Sequence, residues 1–171
     1  LWILCQFEAD SIAYNMPGMF PLMGDFNVEA FEKAVQTVVD RHQGLRTVFI
    51  TVNGKQKQRI LPELKFHLQQ NDLRDLDPDI REKEAHRIYN ADSNEAFDLE
   101  NGPLFRFRYI RVDDDKCVIV MVIHHIISDG WSQGVIRGEI LTLYNAYAAD
   151  INAQSPIPPL KVQYKDYTVW H

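Results

Sequence analysis

The sequence predicts a mixed α/β fold, an α+β sheet with flanking helices, from three patterns. Residues 116–123 form a continuous apolar run of one strand's length, which is typical of a strand covered on both faces. Residues 104–112 alternate, with Phe105, Phe107 and Tyr109 on one face. Apolar residues recur at helical spacing in residues 28–39 and 135–147. Strands and helices follow one another irregularly, which does not fit a doubly wound sheet.

The first part of the chain predicts a strand, a helix and a hairpin. Residues 16–23 are predicted to form a strand that ends at Gly24. Asn27 can cap a helix that continues to about His42. Residues 45–52 and 55–60 flank Asn53-Gly54, the strongest short hairpin signal, and are predicted to be its strands.

The later elements follow from turn and breaker residues. Asp77-Pro78 is a cap followed by proline at the first helical position, and predicts a helix to about Ala91. Three aspartates at 113–115 predict a turn between the strands at 104–112 and 116–123. Prolines at 156, 158 and 159 predict an extended connector.

Composition indicates one globular domain in a reducing cytoplasm. The 171 residues are 46% hydrophobic and 25% charged, which is ordinary for a chain with a sizeable core. A net charge of -6 argues against a nucleic-acid surface. No apolar stretch approaches the ~20 residues of a membrane span, and no signal-peptide pattern opens the chain. Cys5 and Cys117 have no evident partners, which favours a reducing compartment.

The chemistry is concentrated where the apolar strand ends. His124 and His125 follow it directly, and Asp129-Gly130 begin four residues after His125. Histidine exchanges protons near neutral pH because its ordinary pKa is ~6.5. The pattern alone leaves open a catalytic base, a structural histidine pair and a metal site. A metal is disfavoured because neither cysteine has a C-x-x-C partner and no H-x-x-x-H or H-E-x-x-H spacing occurs.

Several segments together resemble one known family. They are H-H-x-x-x-D-G with W-S at 124–132, R-H-x-x-L-R-T-x-F at 41–49, Y-x-D-Y-x-x-W at 164–170, the opening residues 1–4, and shorter phrases at 13–15, 97–99 and 102–104. In this order they resemble the condensation domains of nonribosomal peptide synthetases. The resemblance implies two lobes of the chloramphenicol-acetyltransferase type with an active-site tunnel between them. It covers only the first lobe, so residues 1–171 are expected to be the N-terminal lobe of a longer synthetase, without the C-terminal lobe.

The resemblance also implies a reaction and its partners. A condensation domain joins the amine of an acceptor aminoacyl group to a donor aminoacyl or peptidyl thioester. Both substrates arrive on 4′-phosphopantetheine arms of donor and acceptor carrier domains, with an adenylation domain in the same synthetase. No bound cofactor, metal, membrane or nucleic acid is expected. The S-D-G-W-S wording at 128–132 resembles the subtype that joins two L-residues, whereas epimerization and heterocyclization domains fit less well.

The family's residue roles carry over by motif position. His125 matches the residue that acts on the attacking amine, either as a base or as a hydrogen-bond acceptor that positions it. His124 is expected to be structural, since successive strand residues face opposite ways. Asp129 matches a residue that organises the loop, and the family pattern pairs it with Arg46.

Four further residues receive weaker roles. Gly130 is expected to permit a backbone turn, and its amide can face charge that develops on the thioester oxygen. Trp131, Ser132 and Tyr14 are candidates for lining the substrate tunnel, with ordinary packing as the alternative.

Two competing functions remain. One is a related acyltransferase that uses acyl-coenzyme A, and the other is a non-catalytic lobe that recruits other proteins. The chain by itself is expected to be inactive, because one wall of the tunnel would be missing.

Overall fold

The computed structural model describes residues 11–163 and 166, which fall into two units of interleaved chain. The first unit contains residues 11–26, 68–97 and 105–126, and the second contains the other described residues. In chain order the elements are β1 (Asn15–Met23), α1 (Val28–Arg41), a 3-10 helix (Gln43–Arg46), β2 (Thr47–Val52), β3 (Lys55–Ile60), β4 (Gln69–Asp72), α2 (Pro78–Ser93), β5 (Phe105–Arg111), β6 (Lys116–His124) and α3 (Gly130–Ala149). The predicted segments at residues 1–4 and around Tyr164 and Trp170, with Cys5, lie outside the described residues.

The first unit is built on a four-stranded mixed sheet in the order β1-β6-β5-β4. Strand β6 pairs antiparallel with β1 and β5, and β4 runs parallel to β5. Every residue of β6 from Cys117 to His124 is buried, as expected of a strand covered on both faces. The predicted mixed α/β fold is therefore confirmed, and so are the strands at 16–23, 104–112 and 116–123.

Strand β4 is absent from the sequence-based prediction. Its four residues, Q-Q-N-D, are polar and show no apolar alternation, so local pattern gives no reason to expect a strand. Backbone pairing with β5, from Gln69 opposite Arg108 to Asp72 opposite Arg111, makes it a strand. Tertiary pairing rather than sequence preference determines this element.

Helix α2 begins where the sequence predicts and is tied to the sheet by a charged pair. Asp77 accepts a hydrogen bond from Asp79 N at 3.0 Å and Pro78 is the first helical residue. Near the other end, Asp92 is 4% exposed. The Arg108 guanidinium of β5 donates to both of its carboxylate oxygens, at 2.6 and 2.7 Å. This bidentate pair fixes the last turn of α2 over the sheet.

The second unit combines helices α1 and α3 with the β2–β3 hairpin. Asn27 caps α1 by accepting from Ala30 N at 3.0 Å, as predicted. The buried face of α1 meets α3, where the Thr37 and Tyr147 hydroxyls lie 3.1 Å apart. The residues that α3 buries are Ile136, Ile140, Leu143 and Tyr147. Val135 belongs to the predicted periodic set but is 41% exposed.

The hairpin forms at the predicted turn but its first strand starts later than predicted. Asn53 and Gly54 have φ of 52° and 71°, the left-handed values that a two-residue hairpin turn requires. Strand β2 begins at Thr47, because Gln43–Arg46 form a 3-10 helix. The Thr47 hydroxyl donates to Gln43 O at 2.9 Å and closes that turn. The predicted strand at Leu45 and Arg46 is therefore wrong.

Candidate active site

The histidine motif starts at the end of β6 and continues to the start of α3. His124 is the last residue of β6 and Gly130 the first residue of α3. Along the chain, the histidine pair belongs to the first unit and Asp129-Gly130 to the second.

His125 presents an exposed imidazole from a fixed backbone. Its side chain is exposed, whereas every residue of β6 after Lys116 is buried. Its backbone N–H donates to Tyr14 O at 2.8 Å, which extends the β1–β6 ladder by one residue beyond the Asn15–His124 pair. The backbone is thus held by the sheet while the ring is open to solvent.

His124 is buried and neutral. Its residue is 2% exposed, and its Nδ1 accepts a hydrogen bond from Ile126 N at 3.1 Å, so the ring proton lies on Nε2. Burial, with a smaller contribution from His125, lowers the pKa of His124 to about 4. The Phe97 ring meets it edge-on, with centroids 6.0 Å apart and an interplanar angle of 90°, and the Tyr14 ring lies at 6.1 Å.

The depressed pKa of His124 predicts a pH dependence of stability. Because the folded pKa of about 4 lies below the unfolded value of about 6.5, the unfolded chain binds the proton more tightly. Its contribution to stability is therefore complete above about pH 6.5 and is lost as pH falls toward 4, by at most about 1.4 kcal/mol per pH unit. Urea unfolding of wild type and His124→Asn between pH 4 and 7 measures it.

The expected result is a steeper loss of stability in wild type than in His124→Asn across this range. The exposed His86 provides the matched control, and His86→Asn should keep the wild-type slope. Equal slopes for wild type and His124→Asn would contradict a neutral buried ring.

Asp129 organises the start of α3. It is the N-cap residue, and its Oδ1 accepts from Ser132 N at 2.7 Å and from Ser132 Oγ at 2.6 Å. These bonds satisfy a backbone donor of the first helical turn and place a negative charge at the helix N-terminus. The expected loop-organising residue is therefore a helix cap.

Arg46 is committed to backbone carbonyls. Its guanidinium donates to the carbonyls of Val39 (3.2 Å), Asp40 (3.3 Å), Pro62 (3.1 Å) and Leu61. Arg46 with Asp129 is not among the ion pairs of the described chain, so the expected pairing is wrong. The physical reason is that the end of α1 and residues 61–62 take up the donors of Arg46. It stabilises the α1 terminus and the 3-10 helix instead.

Removal of the cap predicts a moderate loss of stability. Asp129→Ala should lower the free energy of unfolding by about 0.5–2 kcal/mol, because Ser132 N loses its acceptor. Asp129→Asn should be close to wild type, since an asparagine oxygen also caps. Thermal unfolding of both variants tests this. An equal loss in both would show that charge rather than capping is responsible.

Gly130 differs from the expectation in its backbone conformation, and the three tunnel candidates differ in exposure. Gly130 is not among the glycines with positive φ, and a Cβ there would have no neighbour within 4 Å. The expected turn that only glycine permits is therefore wrong, and Gly130 instead leaves open space at the start of α3. Trp131 is 84% exposed and Ser132 half-buried, while Tyr14 is half-buried beside His124.

Sequence reasoning missed three residues that surround His124. Phe97 contacts its ring, Asn15 pairs with it across the β1–β6 ladder, and Arg106 packs on Phe97. Phe97 and Asn15 lie in two of the family phrases, but no role was derived for them. The sequence signal that could have pointed to them is Arg106. It is a charged residue on the predicted strand at 104–112, next to the predicted strand at 116–123 that is covered on both faces.

The described residues contain neither a metal-binding cluster nor a membrane-spanning helix. Within residues 11–163 and 166, no three His, Cys, Asp or Glu side chains cluster so as to hold a metal ion. No helix among the same residues has the length and apolar character needed to cross a membrane.

The fold is that of one lobe of a chloramphenicol-acetyltransferase-like enzyme, and solved structures of this class match it. SgcC5 from Streptomyces globisporus has a TM-score of 0.79 and 28% identity, over 99% of this chain and 40% of that one. The starter condensation domain of rhizomide synthetase has a TM-score of 0.81 and 25% identity, over 92% of this chain and 37% of that one.

Sequence relatives identify the family. The family model described as "Condensation domain" matches residues 1–171. A linear gramicidin synthase of Brevibacillus parabrevis is 40% identical over 171 residues, which are 99% of this chain and 3% of that protein. Malpinin synthetase of Mortierella alpina is 38% identical over 170 residues, 99% of this chain and 2% of that one. The chain belongs to the condensation-domain family of nonribosomal peptide synthetases, whose members are amide-forming acyltransferases.

Proposed function

We propose that residues 1–171 are the N-terminal lobe of a condensation domain that joins two carrier-tethered L-aminoacyl or peptidyl groups. The observation that carries the proposal is the exposed His125 ring, which follows a buried neutral His124 at the end of β6. The family match over the whole chain supports the reaction type. A lobe that only recruits other proteins has no need to hold one imidazole open at a rigid strand end.

The reaction assigns His125 to the acceptor amine. The amine nitrogen attacks the donor thioester carbonyl, the C–N bond forms, the C–S bond breaks and the donor arm leaves as a thiol. His125 either removes the amine proton or accepts a hydrogen bond that orients the amine.

The partners are other parts of a longer synthetase. Donor and acceptor carrier domains supply 4′-phosphopantetheine arms, an adenylation domain loads them, and a C-terminal lobe forms the other wall of the tunnel. The lengths of the relatives support this proposal, since the chain spans 3% of the linear gramicidin synthase and 40% of SgcC5.

The test compares the chain with a polypeptide that adds the second lobe. Two carriers loaded with L-aminoacyl groups are supplied, and the dipeptidyl thioester is measured by mass spectrometry. We expect product from the two-lobed protein and none from residues 1–171 alone. Product from the chain alone would contradict the assignment as one lobe, and no product from either protein would contradict the reaction.

Coenzyme A thioesters are the second candidate donor. A starter condensation domain of rhizomide synthetase was solved in complex with C8-CoA, and it shares this fold at a TM-score of 0.81 and 24% identity. The same assay with C8-CoA in place of the donor carrier separates the two. Faster acylation from C8-CoA than from the carrier would replace the carrier-bound donor in the proposal.

A further inference from the structure

Arg106 lies on the face of the sheet that carries His124. It pairs with Val122 across β5 and β6, and Val122 is two residues before His124, so the three side chains share one face. The Arg106 guanidinium binds the last turn of α2 and the residues that follow it. It donates to the carbonyls of Asp92 (2.8 Å), Glu95 (2.9 Å) and Ala96 (3.3 Å).

Phe97 lies between this guanidinium and the buried histidine. Arg106 Cζ is 4.0 Å from the Phe97 ring centroid, and the Phe97 ring meets His124 edge-on at 6.0 Å. Burial lowers the pKa of Arg106, opposed by the carboxylates of Glu95 and Asp92. A cation partly withdrawn from water binds an aromatic face more strongly than an exposed one.

Asn15 holds the same segment from the neighbouring strand. Its Nδ2 donates to Ser93 O at 2.9 Å and to Glu95 O at 3.0 Å. Asn15 is also the register partner of His124. Strands β1 and β5, which lie on either side of β6, therefore both hold the segment that carries Phe97 against the His124 ring.

The His124 ring in turn accepts a hydrogen bond from the backbone directly after His125. Ile126 N donates to His124 Nδ1, and His125 is the residue between them. If the His124 ring rotates, this bond breaks, and the backbone of His125 keeps only its bond to Tyr14 O on this stretch. The orientation of the exposed imidazole thus depends on the packing around its buried neighbour.

We propose that Arg106 and Phe97 are positioning residues that fix the His124 ring and thereby the direction in which His125 projects. The catalytic consequence rests on the proposed function, but the effect on the ring does not. Neither residue touches the substrates, and both act through His124.

The test uses Arg106→Lys, with Arg108→Lys as the matched control. Both variants keep the positive charge of β5 and lose a planar guanidinium, but only Arg106 contacts Phe97. The first measurement is NMR of the imidazole nitrogens of the 171-residue chain. In wild type and Arg108→Lys, His124 should stay neutral with its proton on Nε2 down to pH 5. In Arg106→Lys, the ring should become protonated above pH 5 because water reaches it.

The charged groups around His124 do not explain such a change. His125, directly after β6, contributes to the lowered pKa of His124, and Arg106 on β5 lies on the same face of the sheet, with the Tyr14 ring beside His124. Arg106→Lys keeps the cation. Phe97→Leu, which keeps the apolar volume without the ring, should produce the same shift and serves if Arg106→Lys does not fold. A wild-type His124 titration in a folded Arg106→Lys or Phe97→Leu protein overturns the proposal.

The second measurement is kinetic, on the two-lobed protein. Arg106→Lys should lower kcat about tenfold or more with unchanged KM for both loaded carriers, because the His125 ring is misplaced while substrate binding is kept. A change in KM alone, or unchanged kcat with an altered His124 titration, overturns the proposal that these residues position His125 for catalysis. If wild type makes no product, the proposed function fails, and the NMR comparison still decides the effect on the ring.

Discussion

Replacing His125 with alanine should slow amide formation by about 10²–10⁴-fold, the range that a positioned acid–base group contributes. The backbone N–H of His125 still reaches Tyr14 O in the variant, and the side chain that is removed is exposed. Thermal unfolding should therefore be unchanged. The measurement is the single-turnover rate of dipeptidyl transfer in the two-lobed protein, with substrates preloaded on both carriers.

Two further variants sharpen this prediction. His125→Gln keeps a hydrogen-bond acceptor but is not a base, so it should recover most of the rate if His125 only positions the amine and little of it if His125 takes the proton. His86→Ala removes another exposed imidazole, on α2, and should leave the rate unchanged. A wild-type rate in His125→Ala would remove His125 from the mechanism.

The fold could be predicted wherever a local pattern was strong. The apolar run of β6, the alternation of β5, the Asn27 and Asp77 caps and the Asn53-Gly54 turn all determine structure within a few residues. The prediction failed where structure depends on distant partners. Strand β4 exists because β5 pairs with it, and Leu45 and Arg46 form a helical turn because Arg46 is held by carbonyls from two segments.

The site divides in the same way. The opposite directions of the His124 and His125 side chains follow from strand alternation, which the sequence shows. The exposure of His125 follows instead from its position one residue after β6, because both faces of β6 are buried. The partners of Arg46 and Asp129 could not be read locally, because an arginine with five donors is satisfied equally by carboxylates or by carbonyls. Phe97 and Arg106 reach His124 only after the chain folds back from α2 to β5, so no spacing in the sequence connects them.

Truncating Arg108 should produce the largest loss of stability, because it strands a buried carboxylate. The Asp92 side chain is 5% exposed and that of Arg108 20%, and they form a bidentate pair. Arg108→Met should lower the free energy of unfolding by about 3–5 kcal/mol, the usual cost of leaving one member of a buried ion pair uncompensated. Urea unfolding of the 171-residue chain measures it.

A double-mutant cycle separates the stranded charge from lost packing. Asp92→Asn added to Arg108→Met should restore a large part of the stability, because the neutral amide costs far less to bury than the carboxylate. The control is Arg87→Met on α2, the helix that carries Asp92. This variant breaks the solvent-exposed pair of Arg87 with Glu84 and should change the free energy of unfolding very little. If the double variant is as unstable as Arg108→Met, or if Arg108→Met matches Arg87→Met, the pair does not anchor α2.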